Sequence, residues 1–479
     1  MKNVILFFTD QQRFDTIGSL GNPVIKTPAL DRLLSVGTWF SNAYTPSPVC
    51  VSARLSMLTG KYCHQTKCTK NEIMPGGLTS IMHVLKEHGY QTHGAGKMHF
   101  MFKDDDLFGF DHLDSSEEID NGKKDDYKDF LLTNGYGHVK DPHGVRSEMY
   151  YIPQPSQLPD RLHHSTWVAD RSIDFLTSRN TEKPFFLMSS FIKPHPPFEA
   201  PVPFNKLYRA YDMPLPIMND DDETRQTYWN KIQNRYKGRD KGTDQNLLKT
   251  MKAYYYACIS HVDCQIGKIM DYLELNDLMD DTMIIFASDH GEMLGDYHCF
   301  GKRCFYDGAV RIPLIVKAAN QKESACSHAN CSLVDLFPTI LDELDIPDAF
   351  QLAGNSLYNL SDDRAVISQF NTGEFGTYMI KQGNRKYIYS APDDKEWFFD
   401  SAAEKGESVN LALNPDCESN MNDLKRILID KFEKDGYFQV LDHGDFRKYG
   451  KKIPFQSPDE GYLFQDGPGS VPDLKGYTR

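Results

Sequence analysis

Val4-Ile5-Leu6-Phe7-Phe8-Thr9-Asp10-Gln11-Gln12 begins with an unbroken apolar run and ends in polar residues. A strand with one wet face alternates apolar and polar residues. A continuous apolar run of strand length is instead buried on both faces, as in a parallel sheet covered by helices. The same texture returns at Tyr90 to Ala95, at Phe185 to Phe191 behind Pro184, at Met283 to Ala287 ahead of Ser288-Asp289-His290, and at Leu314 to Val316 behind Pro313. Helical patterns lie between these runs. Thr27-Pro28 opens one that carries Leu30, Leu33 and Leu34. Ile81, Val84, Leu85 and His88 form another, ended by Gly89. Ile259, Val262, Ile266, Ile269, Met270 and Leu273 form a long stripe. The alternation predicts an α/β fold with a large, mostly parallel sheet between helices. Ligands in such sheets collect at the carboxyl ends of strands, where Asp10, Asp289 and His290 fall.

From about residue 361 the pattern changes. Ala365 to Phe370, Gly376 to Lys381, Lys386 to Ser390 and Glu396 to Asp400 are short strand-like pieces between turn residues, and Leu424 to Phe432 is helical. They predict a smaller C-terminal unit, 361–479, with an antiparallel sheet, after a larger α/β unit, 1–360. Lys103 to Val145 and Pro201 to Thr243 do not fit the alternation. They read either as a rim that shapes a ligand site or as solvated insertions, the second carrying the acidic run Asp220, Asp221, Asp222 and Glu223. The tail from Lys451 is rich in Gly, Pro and Asp and is expected to wrap the surface.

Asp and Glu total 67 against 53 Lys and Arg, for a net charge of −14. That balance disfavours nucleic acid and anionic membrane as partners, so an anionic ligand needs a local cationic pocket. The ten cysteines include no Cys-x-x-Cys pair. Free thiols in a reducing compartment are expected, with Cys63–Cys68 and Cys326–Cys331 as the alternative pairings. No apolar run is long enough to span a bilayer, and Met1 leads straight into the first strand. A cytoplasmic location is expected, or a periplasmic or secreted one if a leader has been removed.

Pro48-Val49-Cys50-Val51-Ser52-Ala53-Arg54 through Thr59-Gly60-Lys61 resembles the signature of the type I sulfatases, formylglycine-dependent members of the alkaline phosphatase superfamily. Ser52 stands where that signature has Pro or Ala. Gly96-Lys97-Met98-His99 is similar to the family's Gly-Lys-aromatic-His element, with Met98 in place of Trp. Lys193-Pro194-His195-Pro196-Pro197-Phe198, Ser288-Asp289-His290-Gly291-Glu292 and Gly301-Lys302 resemble three further elements in the same order. Trp397-Phe398-Phe399-Asp400, with Glu407 and Asn410-Leu411, resembles the C-terminal segment. The resemblance covers residues 1–120, 165–200 and 250–411.

The resemblance implies an alkaline-phosphatase-like fold and a sulfuric ester hydrolase acting on a sulfated sugar or another small organic sulfate. It implies that a maturation enzyme oxidises Cys50 to formylglycine. One hydroxyl of the hydrated aldehyde attacks sulfur and the other later expels sulfate. Asp10, Gln11, Cys50, Asp289 and His290 would hold one divalent cation, Ca²⁺ foremost with Mg²⁺ or Mn²⁺ as alternatives. Arg54 would orient the formylglycine. Lys97 and Lys302 would hold sulfate oxygens, with Asn71 lining the site. His99 would take a proton from the hydrate and His195 would protonate the leaving oxygen. Two other readings stand beside this one: a phosphonate monoester or phosphodiester hydrolase of the same superfamily, and a non-catalytic binder of sulfated glycans with Cys50 unmodified.

Overall fold

The computed structural model describes residues 2–103, 106–119, 122–146, 150–219, 222–237, 244–402 and 406–455. Asp220, Asp221 and most of the tail beyond Lys451 lie outside the described residues.

The large sheet has eight strands: β1 (Asn3–Asp10), β2 (Thr38–Tyr44), β3 (Gln91–Gly96), β4 (His112–Ser115), β5 (Phe185–Pro194), β6 (Thr282–Ser288), β7 (Leu314–Lys317) and β8 (Ala325–Ser332). Their order across the sheet is β8-β2-β7-β6-β1-β5-β3-β4. Only β7 runs against its neighbours; the other pairings are parallel. β1 is therefore central, flanked by β5 and β6, and all eight of its residues are buried. Its alternate side chains enter two different layers. Val4, Leu6 and Phe8 pack with Val51, Leu55 and Leu58 of α1 (Cys50–Thr59), while Ile5 and Phe7 pack with Val262, Ile266 and Leu273 of α2 (Gln245–Leu275). This two-sided burial is why the run never alternates with polar residues. Each large apolar side chain so buried contributes about 1.5–3 kcal/mol.

α1 is buried along its whole length. Gly60 ends it in the left-handed region at φ 63°, where a β-carbon would press on Leu352 and Phe337. The C-terminal sheet is antiparallel and sequential: β9 (Ala365–Phe370), β10 (Thr377–Gln382), β11 (Arg385–Ser390) and β12 (Lys395–Asp400). Helix α3 (Glu418–Lys434) lays Leu424, Leu428 and Phe432 against it. The predicted C-terminal strands and helix fall within these elements to a residue or a few.

Three strands were not anticipated. β2 and β8 carry many polar residues, and β4 lies inside the supposed insertion after Lys103, pairing with β3 at the sheet edge. β8 also settles one cysteine question: Cys326 is exposed and Cys331 buried on one strand, and all ten cysteines are free thiols. No helix among the described residues is long and apolar enough to cross a membrane.

Gly96, the last residue of β3, has φ 95°, and a β-carbon there would collide with the Ser190 carbonyl oxygen of β5. Gly96→Ala should cost about 3 kcal/mol of stability, because it combines backbone strain with a clash against rigid main chain. Denaturant unfolding reads this directly; a wild-type midpoint would show that the two strands can separate at no cost.

Candidate active site

Three adjacent parallel strands bring their carboxyl ends to one edge. β1 ends at Asp10, β6 hands over to Asp289 and His290, and β5 runs into His195. Their main chains are tied together. Asp289 N–H donates to Thr9 O at 3.2 Å, and Gln11 N–H donates to Asp289 Oδ1 at 3.0 Å. β3 delivers Lys97 beyond Gly96, and α1 presents Cys50 at its first turn over the same edge. Asn71 sits beside that turn, its Oδ1 accepting from Val51 N–H at 3.2 Å, so its observed role is to cap the helix. Ser52 Oγ donates to Lys70 O within the same turn region.

Cys50 Sγ lies 3.0 Å from Lys302 Nζ, 3.2 Å from His290 Nε2 and 3.7 Å from Asp10 Oδ1, and Cys50 is only 1% exposed. His290 Nδ1 is 3.0 Å from the Gly291 carbonyl oxygen, which holds that nitrogen as the donor and turns Nε2 toward Cys50. Donor atoms of Asp10, Cys50, Asp289 and His290 lie within 4.8 Å of one another. Next to them the buried Gln11 Oε1 has no hydrogen-bond partner among the described residues, while its amide nitrogen is held by Glu292 and Tyr151. Two adjacent buried carboxylates, an imidazole nitrogen and an orphaned amide oxygen fit a divalent cation.

Arg54, fully buried, touches both carboxylates: Nε is 3.1 Å from Asp289 Oδ2 and Nη2 is 3.3 Å from Asp10 Oδ2. Its Nη1 donates to Lys97 O at 2.6 Å and Ser190 Oγ at 2.9 Å. The guanidinium thus positions the carboxylates beside Cys50. Lys97 Nζ is 2.6 Å from Asp10 Oδ2 and 3.1 Å from Glu118 Oε2. Lys302 is gripped through its backbone: its N–H donates to Gln233 Oε1 at 3.1 Å and its carbonyl accepts from Gln233 Nε2. His195 Nδ1 is 2.9 Å from Glu118 Oε2, and Nε2 is 3.5 Å from the Tyr150 hydroxyl. His99, at φ 57°, donates its N–H to Glu117 Oε1 at 2.7 Å, and its buried Nδ1 has no partner among the described residues.

The charges set one another's protonation. Burial raises the Asp10 carboxyl, but Lys97, His195, Lys302 and Arg54 outweigh it and hold Asp10 well below the carboxylate range. Burial, then Asp10, push Asp289 up to about 6. Burial and Asp10 also raise the Cys50 thiol, yet Lys302, Lys97 and His290 bring it down to about 7. Burial lowers His195 to about 3 against the opposing pull of Glu118, and lowers His99 to about 4.

The structure therefore gathers Asp10, Gln11, Cys50, Arg54, Lys97, His195, Asp289, His290 and Lys302 into one buried cluster. It adds residues for which the sequence carried no readable signal: Glu117 and Glu118 just after β4, Tyr150 and Tyr151, and Gln233. Glu292 was visible as the end of Asp289-His290-Gly291-Glu292, but its role was not. It accepts from Tyr151 OH at 2.6 Å and from Gly301 N–H, tying the His290 segment to the Lys302 loop.

The family model described as Sulfatase matches residues 2–346. The arylsulfatase of Clostridium perfringens (strain 13 / Type A) is 30% identical over 472 residues, covering 91% of this chain and 95% of that protein. The multifunctional alkaline phosphatase superfamily protein PehA of Trinickia caryophylli is 30% identical over 477 residues, covering 86% and 92%. The crystal structure of the phosphonate monoester hydrolase of Agrobacterium radiobacter superposes with a TM-score of 0.78 over 91% of this chain and 96% of that one; at 22% identity, it shows a shared fold. With Cys50, its cationic neighbours and the paired aspartates assembled at the strand ends, and with the family model spanning most of the sequence, the chain belongs to the sulfatase family of the alkaline phosphatase superfamily.

Proposed function

We propose that this sulfatase removes sulfate from a sulfated sugar or another small organic sulfate, using Cys50 after a maturation enzyme has oxidised it to formylglycine. The observation that carries the reading is the convergence of Lys302, His290 and Asp10 on the Cys50 side chain, with Lys97 one carboxylate away. The formylglycine hydrate supplies an oxygen nucleophile for sulfur and a second hydroxyl whose deprotonation releases sulfate. Asp10, Gln11, Asp289, His290 and residue 50 would hold the cation, Ca²⁺ foremost given the oxygen-rich donors, with Mg²⁺ or Mn²⁺ as alternatives. Its chemistry there is Lewis acid polarisation of the ester and support of an ionised nucleophile.

The chain's own groups do the rest. Lys302 and Lys97 place two fixed cations where sulfate oxygens would lie, in a site from which water is largely excluded. Arg54 keeps the two carboxylates apart from each other and in register with residue 50. His195 presents Nε2, the nitrogen not facing Glu118, to the leaving oxygen. His99, with an unpartnered buried ring nitrogen, is suited to take a proton from the hydrate as sulfate departs. Phosphonate monoester or phosphodiester hydrolysis is the second reading; the Agrobacterium phosphonate monoester hydrolase shares this fold.

Peptide mass spectrometry of protein co-expressed with a maturation enzyme should show an aldehyde in place of the Cys50 thiol. That protein should turn over sulfate monoesters more efficiently than matched phosphodiesters and phosphonates. Cys50→Ala should fold normally and lose essentially all turnover. Activity from a quantitatively intact thiol would sink the formylglycine assignment, and a large preference for the phosphorus esters would move the chain to the second reading.

Elemental analysis should find about one divalent ion per chain, the number a single site of this kind holds. Asp289→Ala should abolish both metal and turnover; retention of both would remove the ion from this cluster.

His195→Ala should slow hydrolysis of a sugar sulfate by about 10²–10⁴, the usual range for a general acid. The loss should be much smaller on an activated aryl sulfate, whose leaving group needs little protonation. Equal losses on the two esters would take His195 out of the acid role.

A further inference from the structure

The Glu118 side chain is only 7% exposed, yet it lies outside the candidate cation-binding set. It lies just past the strand Leu113 to Ser115 belongs to, in a stretch that reads as an insertion. Its Oε2 is 2.9 Å from His195 Nδ1 and 3.1 Å from Lys97 Nζ, while the Pro196 carbonyl oxygen is 2.8 Å from the same Nδ1. Three elements with no sequence proximity thus meet at one carboxylate: the end of β3, the end of β5 and the segment after β4.

We infer that Glu118 is a positioning residue that fixes His195 as the general acid. The inference rests on the acid role proposed for His195. A buried imidazolium is costly unless a carboxylate accompanies it, and among the described residues Glu118 is the carboxylate in contact with this ring. In its acid form His195 carries a proton on each nitrogen. The Nε2 proton passes to the ester oxygen as the sulfur–oxygen bond breaks, and the Nδ1 proton stays in its hydrogen bond to the Pro196 carbonyl, with the Glu118 carboxylate 2.9 Å from the same nitrogen as an ion-pair partner. Glu118 remains ionised throughout. Its charge stabilises the doubly protonated ring, while the Pro196 carbonyl keeps Nδ1 as a donor and leaves Nε2 to give up its proton. Its contact with Lys97 sets the same carboxylate beside a sulfate-binding cation, so the acid and the anion-binding group share one anchor.

Turnover of a series of aryl sulfates, with leaving phenols of graded acidity, tests this. Glu118→Gln keeps the shape and an acceptor oxygen but removes the charge. The loss should grow as the leaving phenol becomes less acidic, smallest on 4-nitrophenyl sulfate and about 10²-fold greater on the least acidic phenols, the low end of a general acid contribution. The dependence on leaving-group acidity becomes correspondingly steeper. Combining Glu118→Gln with His195→Ala should be no worse than His195→Ala alone, because residues that act as one unit are not additive. A uniform loss across the series, or an additive double variant, would overturn the inference and assign Glu118 to Lys97 and anion binding. Ring-nitrogen NMR of His195 gives a readout independent of turnover. In its neutral form the wild-type ring should keep its proton on Nδ1, and Glu118→Gln should shift both nitrogens; unchanged resonances would also overturn it. Failure of the sulfatase reading looks different: a matured wild-type chain that turns over no aryl sulfate, whatever the ring nitrogens report.

Discussion

One guanidinium holds the site together. Asp10 and Asp289 are both fully buried at the ends of neighbouring strands, where two carboxylates would repel without relief. Arg54 bridges them and spends its remaining donor on Lys97 O and Ser190 Oγ, so a single planar group touches what four strands deliver. Breaking such a pairing from one side leaves buried charge uncompensated, which is far costlier than the pair is stabilising. The geometry of Arg suits it to this: its fork of donors reaches several acceptors at fixed angles, which a lysine could not reproduce.

The net charge of −14 and the cationic site are compatible because the positive groups are few and enclosed. Lys97, Lys302 and Arg54 each lie against a carboxylate, so the cluster is a lattice of alternating sign and not a bare positive patch. Within it, Asp10 stays ionised beside its cations while burial and then Asp10 push Asp289 up. The Gln11 oxygen, without a hydrogen-bond partner among the described residues, faces the same cluster.

Much of this was legible before any coordinates. The unbroken run Val4 to Phe8 announced a strand buried on both faces because it is of strand length and is closed by polar residues. Asp10, Asp289 and His290 could be placed because they follow apolar strands; Cys50, Lys97, His195 and Lys302 were placed by the motifs that resemble those of the sulfatases. The edge strands β4 and β8, and β2 next to β8, were not legible: positions at and beside the edge accept polar residues, so their sequences lack the apolar texture of the centre. Glu118, Tyr150 and Gln233 were missed for a different reason. They reach the site from segments whose local sequence has no periodicity, and only the three-dimensional path of those segments brings them in. Asn71 illustrates the reverse. It was placed at the right helix, but its carbonyl oxygen is engaged by the backbone of Val51.

The burial of α1 sets an order of events in the life of the chain. Every residue of Cys50–Thr59 is enclosed, and the thiol itself shows almost nothing to solvent. No reagent the size of a protein can reach that thiol in this fold without opening the central layer. A catalyst that acts on it must therefore arrive before that layer closes, or open it first. If Cys50 is oxidised as proposed, a chain that folds unmodified keeps its thiol out of reach.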